Sequence, residues 1–123
     1  GMLPLREAVC TYLRDTKGVD YSPTQVICSN GAKQSLLQSM LALCGPGDEV
    51  IIPAPYWVSY TQMTSLCSAR PIILNTKAED GFLLQPADLE AALTPSTRVL
   101  ILCNPSNPTG AVHPAGLLEA LAA

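Results

Sequence analysis

The sequence predicts an α/β fold: a layered, mostly parallel sheet with helices packed on it. Three observations predict it. Short unbroken apolar runs (Val50-Ile51-Ile52, Ile72-Ile73-Leu74 and Val99 to Cys103) have the length of strands buried on both faces. Stretches with apolar residues at helical spacing lie between them, and strands alternating with helices build parallel crossovers. The runs stop abruptly in Pro, Asn and Gly, at the strand ends beyond which open α/β sheets seat their ligands.

In chain order, Leu5, Ala8, Val9, Tyr12 and Leu13 share one helical face, with Pro4 suited to a first helical position and Lys17-Gly18 as the stop. Tyr21-Ser22-Pro23 reads as a turn, and Gln25 to Cys28 as a short strand. A helix is expected from Ala32 to Cys44, halted by Gly45-Pro46-Gly47-Asp48. A strand over Glu49 to Pro53 precedes a helix from about Trp57 to Cys67, and another strand runs over Pro71 to Asn75. After the polar turn at Lys77 to Gly81, a short helix is expected from Pro86 to Leu93. The last strand runs from Arg98 to Cys103, and a final helix starts at Pro114.

Composition bounds the function. The 123 residues allow one domain at most, and 48% hydrophobic content with 14% charge describes a core-forming chain. A net charge of −3 without a basic cluster argues against nucleic acid or an anionic membrane as partner. The longest apolar runs are strand-sized, so no transmembrane span or signal peptide is expected. Five widely spaced cysteines without a CxxC, and a single histidine, His113, predict free thiols in a reducing compartment and no metal site. The first and last residues run straight into helical patterns, so an internal portion of a longer protein is expected.

Three strand-end loops carry candidate chemistry. Ser29-Asn30-Gly31-Ala32-Lys33 joins a predicted strand to a helix start, where small residues leave backbone N–H groups to meet a phosphate. It is neither a Walker motif nor a dinucleotide GxGxxG, and on its own a plain helix cap by Ser29 or Asn30 is the more ordinary account of it. Pro53-Ala54-Pro55-Tyr56-Trp57 puts the only tryptophan at a strand end; it can stack on a flat heteroaromatic ring or simply fill core. Asn104-Pro105-Ser106-Asn107-Pro108-Thr109-Gly110 leaves the sheet in one stiff shape, as a site for a hydrogen-bonding ligand or as an ordinary turn.

Taken together, these loops resemble the large domain of class I aminotransferases, pyridoxal-phosphate enzymes of fold type I, and most of all the aspartate and prephenate aminotransferases of bacterial and plastid type. The resemblance runs over essentially the whole chain. It implies a partial three-layer α/β/α large domain spanning residues 1–123, with strands of a seven-stranded sheet missing. The strands over Val50–Ile52 and Ile72–Leu74 would be neighbours, and the first and fourth would face open edges. Marginal stability in isolation follows from that expectation.

The resemblance also implies roles. Gly31, Ala32 and Lys33 match the loop that holds the cofactor phosphate through backbone N–H groups. Trp57 matches the aromatic residue stacked on the pyridine ring, which also contacts substrate. Asn107 matches the residue that hydrogen-bonds the cofactor's phenolic oxygen and helps seat the substrate carboxylate. Cis peptide bonds are implied at Ala54–Pro55 and Asn107–Pro108. The substrates implied are an amino acid of aspartate or glutamate type and a 2-oxo acid, with prephenate open as an acceptor, and the complete protein would be a homodimer in the cytoplasm or plastid stroma. The family's Schiff-base lysine lies well downstream of the Asn-Pro-Thr-Gly loop and is matched by neither Lys33 nor Lys77. The 123 residues alone are therefore expected to be inactive. Alternative readings are a non-catalytic truncated product that associates with full-length subunits, and a lyase-like enzyme of the same fold type.

Overall fold

The computed structural model describes all 123 residues, Gly1–Ala123. The chain divides into two compact units, Gly1–Ser39 and Met40–Ala123.

The first unit is helical. Helix α1 (Leu3–Lys17) has Pro4 in its first turn and Arg14 and Lys17 in its last, where cations oppose the negative end of the helix dipole. Gly18 stops it at φ 66°, donating its N–H to the Arg14 carbonyl at 3.1 Å. Arg6 reaches from α1 to the Pro23 carbonyl at 2.7 Å. The strand expected over Gln25 to Cys28 is absent; a 3-10 turn occupies Pro23–Gln25 instead. The turn satisfies its own polar groups: Gln25 N–H donates to Ser22 O at 2.9 Å, and Ser22 N–H donates to Gln25 Oε1 at 2.9 Å. With no neighbouring strand to take its ladder bonds, the apolar run after the turn stays irregular, and Ile27 is 79% exposed. Helix α2 (Ala32–Leu43) begins in this unit and crosses into the second.

The second unit holds the sheet. Strands β1 (Glu49–Ala54), β2 (Arg70–Asn75) and β3 (Thr97–Leu100) are all parallel, in the order β2-β1-β3. The adjacency of β1 and β2 matches expectation. β3 differs from it: it pairs with β1 and leaves only its outer edge open. The sheet is thus contiguous, with the most apolar strand in the centre, where two neighbours satisfy its backbone. Val50, Ile51 and Ile52 are wholly buried, while β2 and β3 are part-exposed, as edge strands tolerate.

Helix α3 (Ser59–Leu66) packs against β1 and β2, and α4 (Pro86–Ala92) packs against β2 and α5 (Ala115–Ala122). Ile51 forms one core with Leu84 and Leu89, onto which Ile72, Leu74 and Leu100 close from the sheet, Leu102 from just beyond β3 and Leu121 from α5. Val50 and Ile52 turn to the other face by the strand's two-residue alternation. No helix is long and apolar enough to cross a membrane.

One carboxylate ties the strand starts together. Glu49, only 3% exposed at the head of β1, pairs in register with Arg70 on one side and Thr97 on the other. Its oxygens accept from the Arg70 guanidinium, from Thr94 Oγ1 at 2.7 Å and from Thr97 Oγ1 at 3.4 Å. The Thr94 hydrogen bond, then Arg70, hold this carboxyl below its ordinary 4.5 against the cost of burial. A depressed carboxylate stabilises the fold above its ordinary pKa and loses that contribution as pH falls. The urea midpoint of Glu49→Gln is therefore expected below the parent's at pH 7, with the gap closing as pH drops through 4.5 and below. Ile51→Ala removes a side chain with no exposed surface. It should cost about 3 kcal/mol, read in the same urea titration.

Candidate functional site

The site begins where β1 ends. The Ala54 carbonyl accepts two bonds from Thr76, from its N–H at 3.0 Å and its hydroxyl at 2.7 Å. This fixes the point at which Pro55-Tyr56-Trp57 leaves the sheet, through the cis Ala54–Pro55 bond that the resemblance implied. The Trp57 carbonyl then accepts the Tyr60 N–H at 3.0 Å, at the opening turn of α3. The half-buried Trp57 ring meets Tyr60 edge-on, with centroids 5.6 Å apart and planes at 90°. Tyr60 is 8% exposed and neighbours Cys103 in the pocket lining; burial first, and then Cys103, push its pKa up to about 12. Tyr60 thereby links the strand-end segment carrying Trp57 to the residue that opens the next loop.

That loop, residues 104–113, is closed on itself. Asn104 clasps its far end, accepting the His113 N–H at 2.9 Å and donating to the His113 carbonyl at 3.4 Å. Inside the clasp, Ser106 N–H donates to Ala111 O at 2.8 Å and Gly110 N–H to Ser106 O at 2.8 Å. Gly110 sits at φ 74°, a conformation that a side chain would strain. Asn107–Pro108 is cis, again as implied, and Asn104–Pro105 is cis as well. These bonds run through Asn104, Ser106 and Thr109, leaving the exposed Asn107 carboxamide available.

The two segments border one pocket. Ala54, Pro55, Tyr56 and Tyr60 line one side, Cys103, Ser106 and Asn107 another, and Phe82 and His113 contribute as well. No Asp, Glu, Lys or Arg lines it. Of the residues singled out in the sequence, Asn107 lies directly on this pocket, and Trp57 follows its lining residue Tyr56 and packs on its lining residue Tyr60. The roles of Tyr60, Thr76 and His113 were not foreseen, and Asn104, quoted only as the first residue of its loop motif, was not read as a clasp. Their partners lie far along the chain or at a spacing with no motif, so the sequence carries no signal for them.

Gly31, Ala32 and Lys33 belong to the other compact unit, at the start of α2. All three are exposed, and the space where a Gly31 Cβ would stand is open. Gly31 has φ 86°. The Gln34 side chain turns back to accept the Asn30 N–H at 2.6 Å, and the Ser29 hydroxyl bonds the Gly31 carbonyl at 3.0 Å and Ser35. The first N–H groups of a helix have no acceptor within it. Lys33 adds a cation at the positive end of the α2 dipole, and no acidic residue occupies that turn, an arrangement that an anion would stabilise.

The profile of the family described as aminotransferase class I and II matches residues 1–123. Over 122 residues the chain is 54% identical to a bifunctional aspartate aminotransferase and glutamate/aspartate-prephenate aminotransferase of Petunia hybrida, covering 99% of this chain and 26% of that protein. It is 50% identical to an aspartate aminotransferase of Pinus pinaster, covering 99% of this chain and 25% of the other. Among solved structures, an aspartate aminotransferase of Thermus thermophilus with maleate superimposes with a TM-score of 0.94 at 41% identity, covering 99% of this chain and 32% of that one. The chain thus spans about a quarter to a third of the length of the relatives it matches.

The Asn104 clasp generates an expectation of its own. Asn104→Ala should cost about 1–2 kcal/mol of stability, since two hydrogen bonds are lost in a partly exposed setting. Amide exchange at His113 should quicken with it, and an unchanged exchange rate there would show that the loop closes without the clasp.

Proposed function

The chain belongs to the aminotransferase class I and II family, and from that premise we propose that it is the cofactor-seating part of a pyridoxal-phosphate aminotransferase acting on an acidic amino acid and a 2-oxo acid. The observation that carries this reading is the single uncharged pocket bordered both by the strand-end segment leading to Trp57 and by the loop presenting Asn107.

The residue types suit the group. Pyridoxal phosphate is a flat ring with a polar edge and a dianionic tail, and when bound it supplies an electron sink that makes the Cα proton of an amino acid acidic. Trp57 offers an aromatic face for the ring, at an angle held by Tyr60. The Asn107 amide donates to the phenolic oxygen and holds negative charge there. Gly31, Ala32 and Lys33 are proposed for the phosphate on the strength of the resemblance alone. Trp57 and Asn107 also seat the substrate carboxylate. None of Lys17, Lys33 and Lys77 lines the pocket, so these 123 residues bind and orient, and the covalent lysine is not assigned to any of them. Taken alone, the stretch is inactive.

Substrate choice rests on the relatives. Those named for aspartate, glutamate and prephenate, together with one structure holding the four-carbon dicarboxylate maleate, support a dicarboxylic amino donor. The complete protein on this reading is a homodimer of the cytoplasm or plastid stroma.

Reconstitution of the complete gene product tests the assignment. Adding pyridoxal phosphate should give a visible absorption band and turnover of aspartate with 2-oxoglutarate. Asn107→Ala should lower kcat/KM by about 100-fold, as expected when one fixed donor to developing charge is lost. Trp57→Ala should weaken cofactor binding while Trp57→Phe retains most of it. A gene product that takes up no pyridoxal phosphate overturns the reading.

A further inference from the structure

His113 is the one histidine of the chain, and it lies outside every role given above. It is 5% exposed and lines the pocket. Its backbone is held on both sides by Asn104, at the far end of the loop that presents Asn107. Its ring reaches a different segment: Nε2 accepts the backbone N–H of Leu84 at 3.1 Å. Leu84 is 1% exposed and belongs to the core cluster with Ile51 and Leu89, and Phe82, two residues earlier, lines the pocket. The ring therefore joins the Asn107 loop to a wall anchored in the core.

That contact fixes the ring's chemistry. An N–H donor is satisfied only by a nitrogen lone pair, so Nε2 carries no proton and the neutral ring holds its proton on Nδ1. Nδ1 is buried with no hydrogen-bond partner. A second proton would turn Nε2 into a donor facing another donor, and would leave a buried cation without an acceptor on either nitrogen. The titratable side chains sharing the pocket are Tyr56, Tyr60 and Cys103, and no carboxylate stands there to compensate.

We infer that His113 is a positioning residue: as a neutral imidazole it latches the Asn107 loop to the Phe82–Leu84 wall, and its protonation releases the latch and weakens cofactor seating. This rests on the reading of Asn107 as a cofactor contact. Burial pushes the imidazole below its ordinary 6.5, so the latch is intact at neutral pH and opens only as pH falls below that value.

The test is the dissociation constant of pyridoxal phosphate from the complete gene product between pH 7.5 and 5, in the parent, His113→Gln and His113→Phe. Gln keeps an acceptor for the Leu84 N–H and does not titrate; Phe offers none. Relative to His113→Gln, the parent should lose about 10-fold in affinity on acidification. His113→Phe should be about 10-fold weaker than the parent at pH 7.5. The cofactor's phosphate titrates in the same range but does so identically in all three, so the difference between variants carries the signal. In parallel, selective 15N labelling of leucine amides and histidine rings should show the Leu84 amide shift following the titration of His113. An acid limb in His113→Gln equal to the parent's overturns the latch, as does a Leu84 amide indifferent to His113 ionisation. If the parent binds no pyridoxal phosphate at any pH, the cofactor reading fails, and the nitrogen titration still decides whether the latch exists. If His113→Phe does not fold, the comparison of parent with His113→Gln decides alone.

Discussion

Glu49 sets the geometry on which everything at the other end of the sheet depends. A carboxylate buried at the head of the central strand is unfavourable unless every lone pair is used, and here donors come from β2, from β3 and from the turn before β3. Strands do not stretch, so fixing where three of them begin fixes where they come out. Asp48, one residue earlier, reinforces the same line: its carbonyl accepts the Arg70 N–H at 2.8 Å, and its carboxylate takes the Gly45 N–H at 2.9 Å and Arg98 at 3.2 Å. The salt bridges alone contribute little, because Arg70 and Arg98 are mostly exposed. Their value lies in alignment, since any slip would leave Glu49 buried without partners.

At the opposite end, the pocket is built by local closure rather than by bulk. Thr76 holds the last carbonyl of β1, Tyr60 joins Trp57 to Cys103, and Asn104 clasps its loop shut. Each device settles the direction of a segment bearing one candidate contact. The pocket lacks charged side chains of its own, which leaves electrostatic control to whatever occupies it and to groups that titrate rarely, such as Tyr60.

Much of this was legible in the sequence, and the exceptions share a cause. The apolar runs of β1, β2 and β3, the stops at Gly18 and Gly45-Pro46-Gly47 and the helix start at Pro86 are local signals, and the elements appear within a residue or two of their expected bounds, save that the ladder of β3 stops at Leu100 and α1 runs longer at both ends. Gln25 to Cys28 failed because an apolar run says nothing about whether a neighbour exists to pair with it. Trp57 and Asn107 stood out through their turn chemistry. By contrast, the His113–Leu84 contact spans twenty-nine positions and the Thr94–Glu49 contact forty-five. Long-range pairs of this kind leave no periodicity behind, so a residue as plain as Thr76 reads as filler until the chain is folded.

Where β1 meets β3 the pairing shifts: Glu49 stands opposite Thr97, yet Val50 stands opposite Val99, so Arg98 has no partner of its own. That supernumerary residue is where the ladder takes up an extra position without losing its register. Deleting Arg98 would leave Thr97 and Val99 opposite Glu49 and Val50 in an unbroken ladder, whereas inserting a residue between Val99 and Leu100 would swap the faces of every later side chain, turning Leu100 out of the core and pulling the asparagine clasp a full step out of phase. A length change in the exposed turn around Glu79 would disturb neither face. Insertions and deletions among natural or laboratory variants of this protein should accordingly collect near Glu79 and avoid the step from Val99 to Leu100.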